Sequence, residues 1–336
     1  MTVISDEAEF LPGLSLHDYL RFMDRFPRFR DVIIPDGRAL EAVLSTLHRG
    51  NEFDGDLTGR GDSYRQSQQL PCVRLTGIRA LLELALDRCL TSDVPDDFRL
   101  LDVLGGDGTI ARAVASLSPP GAEHWVLTGD LSRHMVAGAL GYGLPALCQP
   151  AQRLLLRDET FDAVVIAYGT HHIPPAERIL AYSEAYRVLR PGGRIVVHDF
   201  EKGGKMDAWF TEVVHRHAPN GHAHEHISRA DLADDLATSG FAVTSIDELY
   251  DPFEVPGLTP GAARQKLTGY VADMYGLFGL TSSPEWADRV WELMDRHLTY
   301  ESHELPVTSP SVRPAAGGHV ATLPRVALVG VGVKPA

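Results

Sequence analysis

From residue 98 onward, short β-branched or apolar runs alternate with longer stretches whose apolar residues recur at three- and four-residue spacing. Few folds accept that pattern. A strand that returns to its own sheet through a helix makes a βαβ unit, so the alternation specifies a parallel sheet covered on both faces. Seven runs read as strands: 99–105, 124–131, 146–151, 161–169, 194–200, 241–249 and 325–333. The helices between them mark their own ends. "LRPGG" stops a helix over 181–189, while "SRADLADDLATSGF" opens on Ser228, with Asp231 three residues on, and closes at Gly240. The expected fold is α/β, a Rossmann-like seven-stranded doubly wound sheet, with its ligand at the carboxyl ends of the strands.

The first strand runs into "LLDVLGGDGTIARAVA", a glycine-rich turn. Gly105, Gly106 and Gly108 remove side chains from the bend, so a ligand can approach bare backbone and an anion can meet the amides of the following helix. Asp102 sits on the strand as an acceptor. Asp130 ends the second strand 28 residues later, where a carboxylate can take both ribose hydroxyls or cap "LSRHMVAGAL". A dinucleotide fits poorly: Gly106-Asp107-Gly108 is followed by Thr109, Ile110 and Ala111, with no third glycine.

"LLDVLGGDGTIARA", "LTGDLS", "FDAVVIAYGTHHI" and "LRPGGRIVV", in that order, resemble the class I S-adenosylmethionine-dependent methyltransferases over residues 98–250. The tail "LPRVALVGVGVKP" is similar to that family's last, antiparallel strand. The resemblance implies S-adenosylmethionine as cofactor, contacted by Tyr64, Asp102, Gly105, Gly106, Gly108, Asp130, Leu131, Gln149, Pro150, Ala151, Ala167 and Tyr168. Two positions depart from the family. Leu104 stands where the first glycine is usual, and Pro150 stands where an acid usually meets the adenine, leaving Gln149 or Gln152 to offer a carbonyl.

Residues 1–97 read as a helical cap and lid, with helical patterns at 16–26, 38–50 and 73–89 around a polar loop over 53–71. Within that loop Arg60 and Arg65 are candidate carboxylate clamps on the substrate. Residues 98–336 then form the cofactor-binding domain, with an insertion at about 251–322 that carries helical patterns over 262–278 and 284–297 and a Pro/Gly-rich passage. It packs over the site or serves a homodimer.

A net charge of −14, with no basic cluster, argues against nucleic acid. No membrane span or signal-peptide pattern is present, and Cys72, Cys89 and Cys148 are too scattered for a disulfide framework or a zinc pattern. A cytoplasmic protein with reduced, partly buried cysteines is the expectation.

The fourth strand ends at "AYGTHHIPP", which makes His171 and His172 candidate catalytic or substrate-orienting residues. Beyond the fifth strand, alternation places His222, His224 and His226 on one side of an extended segment, with His224 a candidate substrate contact. The resemblance extends, more weakly, to 2-oxo acid C-methyltransferases, which implies that a divalent metal is an option, held by His171 or His172 with His222 or His224. The reading is therefore methylation of a small molecule, by preference at a carbon beside the carbonyl of a 2-oxo acid such as 2-oxoglutarate, in natural-product (antibiotic) biosynthesis. O- or N-methylation, or a non-methylating cyclase or regulatory protein on the same fold, is the alternative.

Overall fold

Consecutive residues of the first core strand, Leu100 and Leu101, are both fully buried but belong to different hydrophobic clusters, as a strand covered on both faces requires. The computed structural model describes residues 9–34, 60–90, 94–95, 97–117, 125–302 and 304–336, with backbone alone at 60–62 and 65. The expected helix over 38–50, and His124, lie outside the described residues.

A short hairpin, β1 (Glu9–Leu11) and β2 (Leu14–Ser15), precedes the main sheet. That sheet comprises β3 (Leu100–Asp102), β4 (Val126–Asp130), β5 (Ala146–Cys148), β6 (Phe161–Ala167), β7 (Leu189–Asp199), β8 (Ala242–Tyr250) and β12 (Val326–Val333). Its order is β5-β4-β3-β6-β7-β12-β8. Only β12 runs antiparallel, paired with β7 on one side and β8 on the other. All seven expected strands are present, and the doubly wound α/β fold stands.

One face is closed by α4 (Arg133–Gly141), α5 (Pro175–Val188) and α6 (Arg229–Thr238), and by α1 (Leu16–Met23) through Tyr19 and Met23. The other face packs on α2 (Leu75–Leu86) and α3 (Thr109–Leu117). Ser228 caps α6 by accepting from the Asp231 amide at 3.1 Å, and Gly240 ends the turn at φ +96°.

The late insertion packs against residues 206–214 to build a third cluster around Trp209, Phe210, Phe253 and Tyr275. The insertion's share comes from α7 (Pro260–Tyr275), α8 (Trp286–His297) and a three-stranded sheet that sequence periodicity does not reveal. There β9 (Phe253–Gly257), β10 (Ser311–Ala315) and β11 (Gly318–Leu323) pair in the order β10-β11-β9. The Pro/Gly-rich passage is in part this hairpin. Gly317 and Gly318 both take positive φ at its tip, and a Cβ on Gly318 would fall 2.4 Å from the Gly257 carbonyl oxygen.

The expected polar loop is also revised. From residue 60 it is a helix, Arg60–Gln68. Its sequence has no apolar stripe, so tertiary contact decides: Ser63, Ser67 and Gln68 are buried, and Tyr64 packs against the insertion's cluster. Among the described residues no helix is long and apolar enough to cross a membrane. Cys148 alone of the three free cysteines is buried; Cys72 and Cys89 are exposed.

Candidate active site

The carboxyl ends of β3, β4 and β6 open into a cavity of about 570 Å³, roofed by the insertion. Its walls divide by chemistry. One part belongs to the glycine-rich turn, one to histidines, and one to two buried arginines.

At the turn, Asp102, Leu104, Gly105, Gly106, Asp130 and Leu131 border the cavity. Gly105 is required by crowding, since a Cβ there would lie 2.7 Å from both Asp102 Oδ2 and Thr128 Cγ2. Gly106 is required by conformation, at φ +56°, and its amide donates to Asp130 Oδ2 at 2.9 Å. The Ser132 amide donates to Asp130 Oδ1 at 2.8 Å, so the acid is fixed across the turn while Ser132 itself caps α4. Asp102 is buried, and its Oδ2 has no hydrogen-bond partner. Burial, then the charge of Asp130, pushes its carboxyl up to about 8. An unpaired buried acceptor beside bare backbone fits the ammonium of an amino-acid ligand, so the turn passes the test for S-adenosylmethionine.

Leu104 edges the cavity. It packs toward the main core, with its Cδ1 3.4 Å from where a Cβ on Gly169 would stand. Three of the residues expected to contact the cofactor lie away from the cavity. Gly108 does not border the cavity; at φ +85° it completes the turn under Leu144. Gln149 is buried beneath Gly129, its Oε1 accepting from the Leu155 amide at 2.8 Å, and Pro150 is buried beside it. Neither borders the cavity, whereas Ala151 and Gln152 do. Ala167 and Tyr168 border it as expected. Tyr168 holds φ +63°, a conformation costly for a non-glycine residue, and its hydroxyl donates to Asp251 Oδ1 at 3.2 Å.

The histidine wall is assembled from three segments. His171 follows β6, Asp199 ends β7, and the stretch 220–226 crosses in front of them. The His171 ring lies 5.1, 6.0 and 5.0 Å from those of His222, His224 and His226, so the alternating residues do converge. His171 Nδ1 meets Asp199 Oδ1 at 2.8 Å, and His226 Nδ1 meets Asp207 Oδ1 at 2.7 Å. A carboxylate only accepts, so each Nδ1 carries a proton, and in a neutral ring the Nε2 then presents a lone pair. Among the described residues, His226 Nε2 and both ring nitrogens of His222 are buried without partners.

One nitrogen from each of His171, His222 and His226 falls within 4.8 Å of the others. That donor set fits a divalent metal, with Asp199 and Asp207 orienting two of its ligands from behind. It differs from the expected pairs: His226 enters, while His172 and His224, with rings 4.4 Å apart, border the cavity. His215 fixes the segment, because the His222 amide donates to His215 Nδ1 at 3.0 Å. Burial holds His171 down to about 4 and His222 far below the usual range, so both are neutral donors at physiological pH. Asp199 is held well below the usual carboxylate range by His171.

The third wall was not anticipated. Arg325 is saturated by Asp251, with Nε donating to the Asp251 carbonyl oxygen at 2.9 Å, Nη2 to its carboxylate, and Nη1 to Tyr275 Oη at 3.3 Å. Arg74 faces the cavity from just before α2. The side chains of Arg60 and Arg65 lie outside the described residues, and Tyr64 borders the cavity.

Residues 101–197 match the model of a methyltransferase domain family. This chain carries a class I S-adenosylmethionine-dependent methyltransferase domain. Over 131 residues it is 38% identical to the ubiquinone/menaquinone biosynthesis C-methyltransferase UbiE of Methylobacterium nodulans, covering 37% of this chain and 50% of that one. A demethylmenaquinone methyltransferase of a Mycobacterium species is 32% identical over 126 residues, covering 36% and 52%. The chain thus spans about half the length of the curated relatives it matches. The YcgJ protein of Bacillus subtilis aligns at a TM-score of 0.48 and 17% identity, over 76% of this chain and 99% of its own. The methyltransferase domain holds the turn, Asp130 and His171, whereas His222, His226, Arg74 and Arg325 lie outside the matched residues.

Proposed function

We propose that the protein is an S-adenosylmethionine-dependent methyltransferase of a small molecule, acting at the carbon beside the carbonyl of a 2-oxo acid in natural-product metabolism. The observation that carries this reading is the meeting of His171, which borders the same cavity as the glycine-rich turn, with the buried His222 and His226. S-adenosylmethionine, when bound, supplies a methyl group on an electrophilic sulfonium. A divalent ion, when held by the three imidazoles, supplies the Lewis acidity that makes a carbon beside a carbonyl easier to deprotonate.

The chain's own residues do the rest. Asp102 accepts from the cofactor's ammonium, Gly105 and Gly106 admit its amino-acid portion, and Asp130 takes the ribose hydroxyls. Leu131, Met135, Ala151 and Gln152 line the part of the cavity left for the adenine. With His171 turned to ligation, His172 beside His224 is the group we assign to receive the proton from carbon. The roof formed by Phe210 and Tyr275 excludes water from that exchange. The names of the curated relatives, C-methyltransferases of quinone biosynthesis, support a carbon acceptor.

Protein prepared without chelator should retain one metal per chain and convert S-adenosylmethionine and a 2-oxo acid to S-adenosylhomocysteine and a C-methylated 2-oxo acid, detected by mass spectrometry. Chelator should abolish turnover and added metal restore it. Turnover of hydroxyl or amine acceptors in the presence of chelator overturns the reading.

A further inference from the structure

Arg74 is 4% exposed and borders the cavity, yet among the described residues it has no carboxylate at ion-pair distance. Its Nε donates to Tyr270 Oη at 3.2 Å and its Nη2 to the Met274 thioether at 2.8 Å, which is a weak acceptor. Nη1 has no acceptor among the described residues. The guanidinium is held flat by aromatic neighbours, 4.8 Å from the Tyr168 ring centre and 5.5 Å from that of Phe253. Asp251, the acid nearest in charge, is already committed to Arg325. A buried, immobilised, always-charged fork without its anion is an incomplete ion pair whose open side is the cavity.

We propose that Arg74 forms a subsite for a second carboxylate on the methyl acceptor, so that the acceptor is a dicarboxylic 2-oxo acid. The inference rests on the function proposed above and names its substrate class. Arg74 and His171 both border the cavity but are held by different partners, Arg74 by Tyr270, Met274 and Tyr168 and His171 by Asp199, so the two can hold opposite ends of one small molecule. The carboxylate of the cofactor is the other source of the same chemistry. Arg74 also acts on the charge of Asp107 in the glycine-rich turn, so the binding probes are chosen to separate the two sources. The nearest partners of Arg74 are Tyr270 and Met274 on α7, Tyr168, and Phe253 on β9.

Calorimetry on the full chain with three probes decides. These are S-adenosylhomocysteine, 2-oxoglutarate, and 2-oxopentanoate, which has the same carbon chain without the second carboxylate; both oxo acids are titrated with and without S-adenosylhomocysteine. In the parent protein 2-oxoglutarate should bind at least tenfold more tightly than 2-oxopentanoate. Arg74→Gln should erase that preference while leaving S-adenosylhomocysteine and 2-oxopentanoate unchanged, which also certifies the fold, and Arg74→Lys should restore part of it. Weakened S-adenosylhomocysteine binding with the preference intact assigns Arg74 to the cofactor and overturns the proposal. An equal loss for both oxo acids, or no preference in the parent protein, overturns it too. Failure of the parent protein to bind S-adenosylhomocysteine overturns the methyltransferase reading, and the two-acid comparison without it still decides Arg74.

Discussion

The turn wall and the histidine wall border one cavity but are built by opposite means. Asp102, Gly105, Gly106 and Asp130 stand at the ends of adjacent parallel strands, positioned by backbone that the βα pattern already specifies. His171, His222 and His226 come from separate segments, and their order depends on partners such as Asp199, Asp207 and His215. A site made of backbone tolerates change around it and fails when its own few atoms change. A site made of converging side chains fails through its supports.

The largest expected effect breaks the turn wall alone. Asp102→Asn removes a charge-assisted bond of about 1.5–3 kcal/mol and should weaken S-adenosylhomocysteine binding roughly 10–150-fold by calorimetry, with metal content unchanged. The pH dependence sharpens it. In the free protein the Asp102 carboxyl sits at about 8, so at lower pH it is protonated and must lose that proton to receive an ammonium. Affinity should therefore rise as pH approaches 8, with proton release on binding, and Asp102→Asn should flatten the rise. The folded-state value lies above the unfolded one, so the unliganded protein loses stability from this group as pH climbs between about 4 and 8. The Tm advantage of Asp102→Asn, followed by scanning calorimetry, should grow across the same window.

On the histidine wall, Asp199→Asn leaves every proposed ligand in place but removes the negative charge behind His171 and turns one of the two accepting oxygens into a donor. Metal retention after dialysis should fall about 10–100-fold, with S-adenosylhomocysteine binding within twofold of the parent. Equal loss of both would erase the distinction between the walls. His215→Ala tests the next support out. It deletes one hydrogen bond to the His222 amide, worth about 1 kcal/mol, so metal affinity should fall about fivefold.

The smallest effect is expected where the sequence looks most irregular. Leu104→Ala should lower Tm by a few degrees at most, because the side chain is only partly buried against the core. S-adenosylhomocysteine affinity should stay within about threefold, since the amides of the turn belong to other residues. A tenfold change would place Leu104 inside the cofactor site rather than at its edge.

The seven strands, the cap at Ser228 and the acids at 102 and 130 were legible because their causes are local: short apolar runs bounded by turns, a side chain reaching its own turn, a strand ending where its helix begins. Even the grouping of His222, His224 and His226 on one side followed from alternation. Gln149 and Pro150 do not face the cavity because β5 ends at Cys148, three residues before the end that the sequence suggests, and the chain has turned by Ala151. The helix Arg60–Gln68 escaped notice because its own nine residues carry no amphipathic signal. Asp199 could have been marked by its place at the end of a core strand, next to the fourth-strand histidines in the fold.

By itself, then, the sequence determined the α/β sheet, the glycine-rich turn and the class of cofactor the turn suits, since each depends on residues within a strand or a turn of one another. Only the tertiary structure decided which three of the clustered histidines bring a ring nitrogen together, which acids stand behind them, and that Arg74 is left without an anion among the described residues. Those facts join residues up to 200 positions apart, as Arg74 and Met274 are. Chain proximity says nothing about them: burial first makes an unpaired donor costly, and only the packed interior shows which donors have been left unpaired.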